Sequence, residues 1–467
     1  MLSFDLGTKI AQKMHHLPTL EQEMVIKMWA ELLLSRRDDE VFILNGYAGT
    51  GKTTILSALV ATLKELQLPF RQMAPTGRAA KVMSRLTGLP AYTIHRTIYR
   101  QKSYAQADCF EAGVNLHPNT IFIVDEASMI ANDGMSGTLF GTGRLLDDLV
   151  HYVFSQPGCK LILSGDTAQL PPVGESLSPA MAVERMEAYG LRVTAASLTE
   201  VVRQDAQSGI LANATLIRRL LVAGEVGTLP PLVLEGMADI KALPGSELLE
   251  TLENSYARYG TDETIVITRS NRQAAAYNQG IRQRILGCEE NLSGGERLMI
   301  AKNNYHWSSE CKQMPFIANG ETAVVRRYRR MRELYGFHFA DATLRFPDHD
   351  DLELDCTVLL DTLASEAPAL EKSRQDMLLQ AVWEDYPEVS DKRQRWKKIK
   401  EDPHFNALQI KYAYAVTCHK AQGGQWECVF VDQGYLTGEM VDAGYYRWLY
   451  TAITRATRQV YLINWHR

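Results

Sequence analysis

The sequence predicts an α/β protein with two parallel β-sheets, one in each half of the chain. Short runs that are apolar on both faces alternate with helical patterns over residues 41–166, and the same texture returns from residue 263 to the C-terminus. Such runs are typical of strands covered by helices on both sides of a parallel sheet. Residues 326–365 and 366–404 depart from this pattern, which indicates inserted elements of other kinds.

The first-half strands are predicted within 41–46, 69–75, 120–128 and 159–166, and helical patterns follow the first two of them. In the second half, strand and helix patterns begin at 263 and at 409. Between these, 326–365 alternates apolar and polar residues in short runs, and 366–404 is charged and helical. The predicted domains are therefore 1–205 with an insert at 96–119, 206–325 plus 405–467, and an inserted domain at 326–404 that combines a small β element (326–365) with a helical one (366–404).

Composition places the chain among globular proteins. The formal net charge of −5 over 467 residues does not point to nucleic acid, yet a local basic groove is invisible in such a total. The seven cysteines form no C-x-x-C pair, which argues against a disulfide scaffold or a structural zinc. No apolar run reaches the roughly 18 residues of a membrane span, and the first residues lack a signal-peptide pattern. We expect a cytoplasmic protein that does not engage a membrane.

A glycine-rich stretch, "GYAGTGKT" at 46–53, follows the first predicted strand and opens a helix. Backbone N–H groups of such a loop surround phosphate oxygens, and the helix N-terminus adds positive potential. Lys52 is expected to reach the β- and γ-phosphates of ATP, and the Thr53 hydroxyl to bind Mg²⁺. The alternative is a glycine turn that only caps a helix. The predicted nucleotide-binding residues here are Gly46, Ala48, Gly49, Thr50, Gly51, Lys52, Thr53 and Thr54.

Two acidic residues end the strand "FIVDEAS" (122–128), and a polar loop ends the next one, "SGDTAQLPPVGES" (164–176). Asp125 is positioned to hold Mg²⁺, and Glu126 to orient or deprotonate an attacking water. Gln169 is a neutral side chain able to hydrogen-bond a γ-phosphate or that water. Pairs of acids at strand ends and polar turns are common, so each prediction depends on the upstream phosphate loop.

Eight short motifs together resemble superfamily 1 helicases, most of all the RecD-like and Dda-like DNA helicases of the B branch. They are "GYAGTGKT", "APTGRAAKVM", "TIH", "VDEAS", "GDTAQLPPV", "LTEVVRQ", "VTCHKAQG" and "YTAITRA", in this order. The resemblance implies two RecA-like domains with ATP hydrolysed between them, and 5′→3′ movement along single-stranded DNA. It also implies a duplex-splitting wedge at 96–119, an SH3-like barrel in the second half, ss/ds DNA junctions as substrate, and a monomer.

The resemblance assigns further roles at the nucleotide. Gln22 matches the family's adenine-reading glutamine, although "TLEQ" is also a capping box that opens a helix after Pro18. Arg203 matches an arginine that reaches the γ-phosphate, with a helix-end salt bridge as the alternative. Arg455 matches the arginine finger, with a solvated helix-end arginine as the alternative. The implied catalytic residues are Lys52, Glu126, Gln169, Arg203 and Arg455.

On the DNA side, the resemblance implies contacts from both halves. Thr76 is also a plausible helix N-cap, and a lone histidine is more often structural than a contact. Tyr104 and Phe110 are expected to stack on bases, with a surface loop and its own apolar cluster as the alternative. The implied DNA-binding residues are Pro75, Thr76, Arg78, His95, Tyr104, Phe110, Asn271, Arg272, Thr417 and His419.

Some features depart from the family or imitate another one. Ala421 and Gly424 stand where the family usually carries hydroxyl side chains around "HK-x-QG". The stretch "NLSGGER" (291–297) contains the ABC-type signature LSGGE, but it lies far after the acidic strand, so that interpretation is rejected. Two other functions remain open, an RNA translocase of superfamily 1 and a P-loop ATPase switch whose partner is a protein.

Overall fold

The structure, a computed structural model, describes residues 2–14, 16–101, 110–132, 134, 140–202, 208–311, 313–314 and 316–465. The predicted site residues Tyr104 and Arg203 lie outside these ranges. The first-half helices are α1 (Leu2–Gln12), α2 (Leu20–Leu34), α3 (Lys52–Glu65), α4 (Gly77–Thr87), α5 (Ile94–Ile98), α6 (Leu145–Phe154) and α7 (Val183–Glu187). Its strands are β1 (Glu40–Gly46), β2 (Phe70–Ala74), β3 (Ala91–Thr93), β4 (Tyr99–Gln101), β5 (Phe110–Ala112), β6 (Ile121–Val124), β7 (Lys160–Gly165) and β8 (Arg192–Leu198).

Six of these strands form one parallel sheet in the order β3-β2-β6-β7-β1-β8. β6 and β7 are buried along their whole length, as their continuous apolar sequences predict. Because the strands are parallel, the carboxyl ends of β1, β6 and β7 meet at one edge of the sheet. The phosphate loop, the acid pair and the Gln169 loop all begin there, which is where ligands bind in open α/β sheets.

The second half begins with α8 (Gly209–Ala223), β9 (Ile240–Leu243), α9 (Leu248–Tyr259), β10 (Thr264–Thr268) and α10 (Asn271–Arg284). A barrel region follows, with β11 (Arg297–Ile300), β12 (Thr322–Leu334), β13 (Phe337–Phe346), β14 (Leu352–Leu359), α11 (Lys372–Glu384), α12 (Lys392–Glu401) and β15 (Leu408–Tyr412). The chain then returns to the sheet with β16 (Ala415–Thr417), α13 (Cys418–Ala421), β17 (Trp426–Asp432), α14 (Ala443–Ile453) and β18 (Ala456–Ile463).

The second sheet is also parallel, in the order β16-β10-β17-β18-β9. Strands β11 to β15 close into a barrel. Two parallel sheets and a barrel confirm the predicted fold class. The barrel is larger than the predicted β element at 326–365, because β11 and β15 lie outside that range and pair only in three dimensions. Residues 366–404 contain α11 and α12, which bury Leu378, Val382 and Ile399 with Phe337 and Phe339 of the barrel.

The two halves share one apolar cluster. Ala168 and Leu170, from the loop after β7, belong to the cluster that includes Leu449 and Ile453 of α14. The loop that carries Gln169 is therefore packed against the second half. In the part of the chain that the structure describes, no helix is long and apolar enough to cross a membrane.

Candidate nucleotide site and nucleic-acid interface

The phosphate loop runs from the end of β1 to the start of α3 and depends on its glycines. Gly49 and Gly51 have φ angles of 77° and 80°, in the left-handed region that glycine adopts at low cost. A Cβ at Gly46 would lie 2.3 Å from Cγ of Lys52. The loop therefore folds tightly under the Lys52 side chain, as the motif predicts.

Two buried carboxylates lie near the Lys52 ammonium. Burial raises the pKa of Asp125, the charge of Glu126 raises it further, and Lys52 opposes both. Asp125 also accepts a hydrogen bond of 3.0 Å from Ser164 Oγ. Burial likewise raises the pKa of Asp166, again opposed by Lys52. One lysine thus balances the acids at the ends of β6 and β7.

Glu126 and Gln169 each have a buried side-chain oxygen that is not hydrogen-bonded within the described part of the chain, Oε2 and Oε1 respectively. Glu126 also has a φ of 54°, an unusual backbone conformation for a residue other than glycine. Gln169 is only 4% exposed. Leaving a buried acceptor unpaired costs about 1–3 kcal/mol. Such costs and strain are typical of functional sites, and a hydrolytic water with its phosphate fits both acceptors.

Four residues of the second half hold the Gln169 loop across the cleft. The Leu170 N–H donates to Thr451 Oγ1 at 2.9 Å, and Gln422 Nε2 donates to the Leu170 carbonyl at 2.6 Å. Arg447 donates to the carbonyls of Thr167 and, at 3.4 Å, Gln169. Movement of the second half is therefore transmitted directly to this loop.

Tyr450 links the same helix to the phosphate loop. Its hydroxyl accepts from the Ala48 N–H at 2.8 Å and donates to Asp166 Oδ2 at 2.7 Å. Burial and Asp166 raise the pKa of Tyr450, whereas the charge of Arg455 lowers it. Sequence reasoning missed Tyr450, Arg447 and Gln422 as contacts. The only signal was that Tyr450 and Gln422 lie within motifs selected for other residues.

Arg455 is 5% exposed, so the alternative of a solvated helix-end arginine is wrong. Its Nε donates to the Thr451 carbonyl at 3.1 Å, and its Nη1 to the Gly424 carbonyl at 3.3 Å. The guanidinium is thus held by backbone carbonyls of the second half, beside Tyr450. The structure gives it no contact with the phosphate loop, and its role as a finger stays a prediction.

Gln22 performs the capping-box role that the sequence left open. Its N–H donates to Thr19 Oγ1, and its Oε1 accepts from the Thr19 N–H at 3.1 Å. Its Nε2 donates to the Thr50 carbonyl at 3.0 Å, and the side chain is fully buried. Gln22 therefore ties α2 to the phosphate loop, and both ends of its amide are already hydrogen-bonded. Reading of adenine by this side chain stays a prediction.

A cavity of about 310 Å³ lies between the two halves and the barrel. Five predicted DNA contacts line it, namely Pro75, Thr76, Arg78, His95 and His419. A neighbouring groove is lined by Asn271 and Thr417, and Lys420 lines both spaces. Repulsion from Lys420 and, to a larger extent, burial lower the pKa of Lys411 in this groove to about 8. Sequence reasoning missed both lysines, although Lys420 lies between two selected residues.

Within the cavity, two predicted contacts are already engaged. The Thr76 hydroxyl accepts from the Ala79 N–H at 3.2 Å, as the N-cap of α4. The Arg78 guanidinium lies 3.8 Å from the centre of the Trp426 ring, and burial lowers its pKa to about 10. Arg78 is therefore a contact between the two halves in this structure, which the prediction of a free DNA contact did not anticipate.

Two further predictions need correction. Phe110 is only 4% exposed, with its ring 4.9 Å from that of Phe140 and 5.3 Å from that of Tyr305. Since it is enclosed among aromatic rings, the prediction that it stacks on a base is wrong, and the alternative of a local apolar cluster is the better one. Arg272 does not line the cavity. Its side chain is 81% exposed and pairs with Glu366 at 3.5 Å.

The departure at Gly424 has a steric explanation. A Cβ at this position would lie 2.6 Å from Cη2 of Trp426 and 2.9 Å from Nε of Arg78. At Gly423, where φ is 71°, a Cβ would lie 3.0 Å from Cβ of Ala79. The glycine pair thus lets β17 approach α4 closely. The LSGGE stretch is structural, because its Glu296 is buried and bonded to Arg282.

Two family models match the sequence. One, described as an AAA domain, matches residues 27–222, and one described as a UvrD-like helicase C-terminal domain matches residues 412–463. The ATP-dependent RecD2 DNA helicase of Deinococcus radiodurans is 31% identical over 172 residues, which are 37% of this chain and 21% of that protein. The RecBCD enzyme subunit RecD of Mycolicibacterium smegmatis is 30% identical over 195 residues, 37% of this chain and 32% of that one.

These matches span less than a third of either relative's own length. Among solved structures, Pif1 helicase from Bacteroides in complex with ADP-AlF3 and ssDNA covers 96% of this chain and 93% of its own, at 16% identity and a TM-score of 0.47. Pif1 from Candida albicans covers 97% and 95%, at 15% identity and a TM-score of 0.44.

Proposed function

This chain is a RecD-like member of helicase superfamily 1, and on that premise we propose that it is an ATP-dependent DNA helicase that moves 5′→3′ along single-stranded DNA. The observation that carries the proposal is the pair of buried unpaired acceptors, on Glu126 and Gln169, beside a phosphate loop held from across the cleft. A protein that only binds nucleotide has no use for two such acceptors. A hydrolase uses them to orient water against the γ-phosphate.

In the proposed reaction, the loop from Gly46 to Thr54 surrounds the phosphates of ATP, and Lys52 neutralises the β- and γ-phosphate oxygens. Mg²⁺, held through Thr53 and Asp125, supplies charge neutralisation between those phosphates. Water attacks the γ-phosphorus while its bond to the ADP oxygen breaks, and the proton of the water passes to the Glu126 carboxylate. Gln169 orients the water, and Arg455 moves toward the γ-phosphate as the halves close. Such fingers contribute roughly 10³–10⁵ in rate.

Coupling to movement follows from the contacts that cross the cleft. Closure around ATP shifts α14, and α14 holds the Gln169 loop through Thr451 and Arg447. The same closure changes the cavity between the halves, where we place single-stranded DNA. ATP drives this cycle only if it binds the closed state better than the open one. The DNA contacts are expected to be mainly to phosphates and therefore salt-sensitive.

Polarity and substrate are tested together with tailed duplexes. ATP hydrolysis should be stimulated by single-stranded DNA, and a duplex with a 5′ single-stranded tail should be unwound, while a 3′-tailed duplex should not. Stimulation by RNA oligonucleotides of equal length distinguishes the RNA translocase. Hydrolysis that is indifferent to both nucleic acids would instead support the ATPase switch and refute the helicase.

A further inference from the structure

A second basic pocket lies on the first half, outside the cavity described above. It has a volume of about 350 Å³ and is lined by Arg71, Tyr92, Arg96, Thr97, Arg100, His117 and Tyr152. Arg71 and Arg100 are exposed, and the Arg96 guanidinium lies 4.4 Å from the centre of the Tyr92 ring. The pocket thus combines three guanidinium groups with two tyrosine rings.

The three arginines form no ion pair with a carboxylate of the described residues, and no described carboxylate lines the pocket. Instead, Arg100 Nη1 donates to the backbone carbonyls of Arg96 and Tyr99, at 2.9 and 2.7 Å. After burial, the charges of Arg71 and Arg100 are what lower the pKa of His117, so both face the same space. Uncompensated positive charge in a concave surface favours an anionic ligand.

The lining also tells which part of such a ligand is recognised. Arginine side chains bind phosphate oxygens well, and the pocket has no asparagine, glutamine or acidic side chain to read base edges. Tyr92 is 38% exposed and offers a ring surface beside the arginines. A nucleic-acid backbone with an adjacent base or sugar fits this combination without sequence specificity.

The location of the pocket selects one strand. Thr93 and His95 line the central cavity, Tyr92 and Thr97 line the pocket, and Arg96 lines both. One segment, β3 with α5, therefore separates the two spaces. It continues directly into β4, which pairs with β5 in the region where the wedge is predicted. A strand in the pocket is thus on the opposite side of this wall from a strand in the cavity.

We propose that this pocket binds the phosphate backbone of the DNA strand displaced at the wedge. The proposal rests on the proposed function, because it takes the cavity as the path of the translocating strand. Since that strand carries the 5′ tail, the displaced one carries the 3′ flap.

The test compares two DNA substrates by fluorescence anisotropy, both with the same 5′ tail and duplex, of which only one carries a 3′ single-stranded flap. The wild-type chain should bind the flapped substrate at least five-fold more tightly. The variant Arg71→Gln/Arg100→Gln should lose that advantage and keep wild-type affinity for the unflapped substrate. Two lost phosphate contacts should reduce the salt slope on the flapped substrate by roughly 1.4.

Two controls match this variant. Arg36→Gln/Arg219→Gln removes the same charge from exposed arginines outside the pocket and should bind like the wild type. Arg71→Lys/Arg100→Lys keeps the charge and should restore most of the flap's contribution.

Three results would overturn the proposal: a wild type that gains nothing from the flap, a glutamine variant that keeps the full gain, or equal losses on both substrates, which would place the contact on the duplex or the tracked strand. Failure of the proposed function is separate, since it appears as wild-type ATP hydrolysis that the unflapped substrate does not stimulate.

Discussion

The guanidinium of Arg78 lies over the ring of Trp426, 3.8 Å from its centre, and joins the two halves of the molecule. Arg78 begins the helix that follows β2, and Trp426 begins β17, where its N–H donates to the Arg455 carbonyl at 2.9 Å. A residue expected to contact DNA is therefore two steps from the expected arginine finger. This contact is a physical link between the cavity and the nucleotide site.

The glycine beside that contact should not tolerate the hydroxyl residue that the family usually carries. Gly424→Ser is expected to destabilise the protein by about 1–3 kcal/mol, because its Cβ overlaps Trp426 and Arg78. Thermal unfolding measures this. The nearest atoms are the outer ring carbons of the indole, which phenylalanine lacks. Gly424→Ser/Trp426→Phe should therefore unfold at a higher temperature than the sum of the two single changes predicts, and strict additivity would show that the overlap is not the cause.

Glu126 should matter for hydrolysis and not for stability. Glu126→Gln is expected to lower the rate of ATP hydrolysis by roughly 10²–10⁴ because it removes the proton acceptor. Its unfolding temperature should be at least that of the wild type, since the unpaired Oε2 contributes nothing to stability. Single-turnover hydrolysis and nucleotide-binding titrations make the comparison. Lost nucleotide binding would instead assign Glu126 to holding the phosphates.

Arg455 is expected to act in the chemical step. Arg455→Ala should retain ATP binding and lose roughly 10³-fold or more in turnover. Because the side chain is buried and bonded to carbonyls, some loss of stability is expected as well. Arg455→Lys is the control, since it keeps a charge but not the planar donors. Near-normal turnover in a folded alanine variant would leave Arg455 with a structural role only.

His95 gives the protein a specific pH dependence. Burial lowers the pKa of His95 to about 4, from an ordinary value of 6.5. Between these two values the unfolded chain takes up a proton that the folded one refuses, so the stability due to neutral His95 is complete above pH 6.5 and is lost as pH falls toward 4.

The measurement is the difference in unfolding free energy between the wild type and His95→Gln. On acidification from pH 7 to pH 4.5, the wild type should lose more stability than this variant. His151→Gln, at an exposed helix position, is the matched control and should follow the wild type. Parallel curves for the wild type and His95→Gln would show that His95 is protonated in the folded state.

The phosphate loop and the acid pair could be predicted because their residues are contiguous and their conformations are local. A strand, a tight glycine turn and a helix N-terminus follow one another within "GYAGTGKT", so the motif and its geometry are nearly the same information. The Asp125 and Glu126 pair directly follows the apolar strand β6 in the same way. Phe110 was misassigned because an aromatic residue in a polar segment has the same local pattern whether it meets a base or Phe140 and Tyr305.

By itself, the sequence determined the class of fold, the nucleotide motif and the family, since each is written in short-range patterns. Only the tertiary structure decided that Tyr450 bonds Ala48 and Asp166, that Arg78 stacks on Trp426, and that β11 and β15 close the barrel. Each of these contacts joins segments far apart along the chain. Their pairing is set by the packing of whole sheets and helices, for which a single sequence carries no local signal.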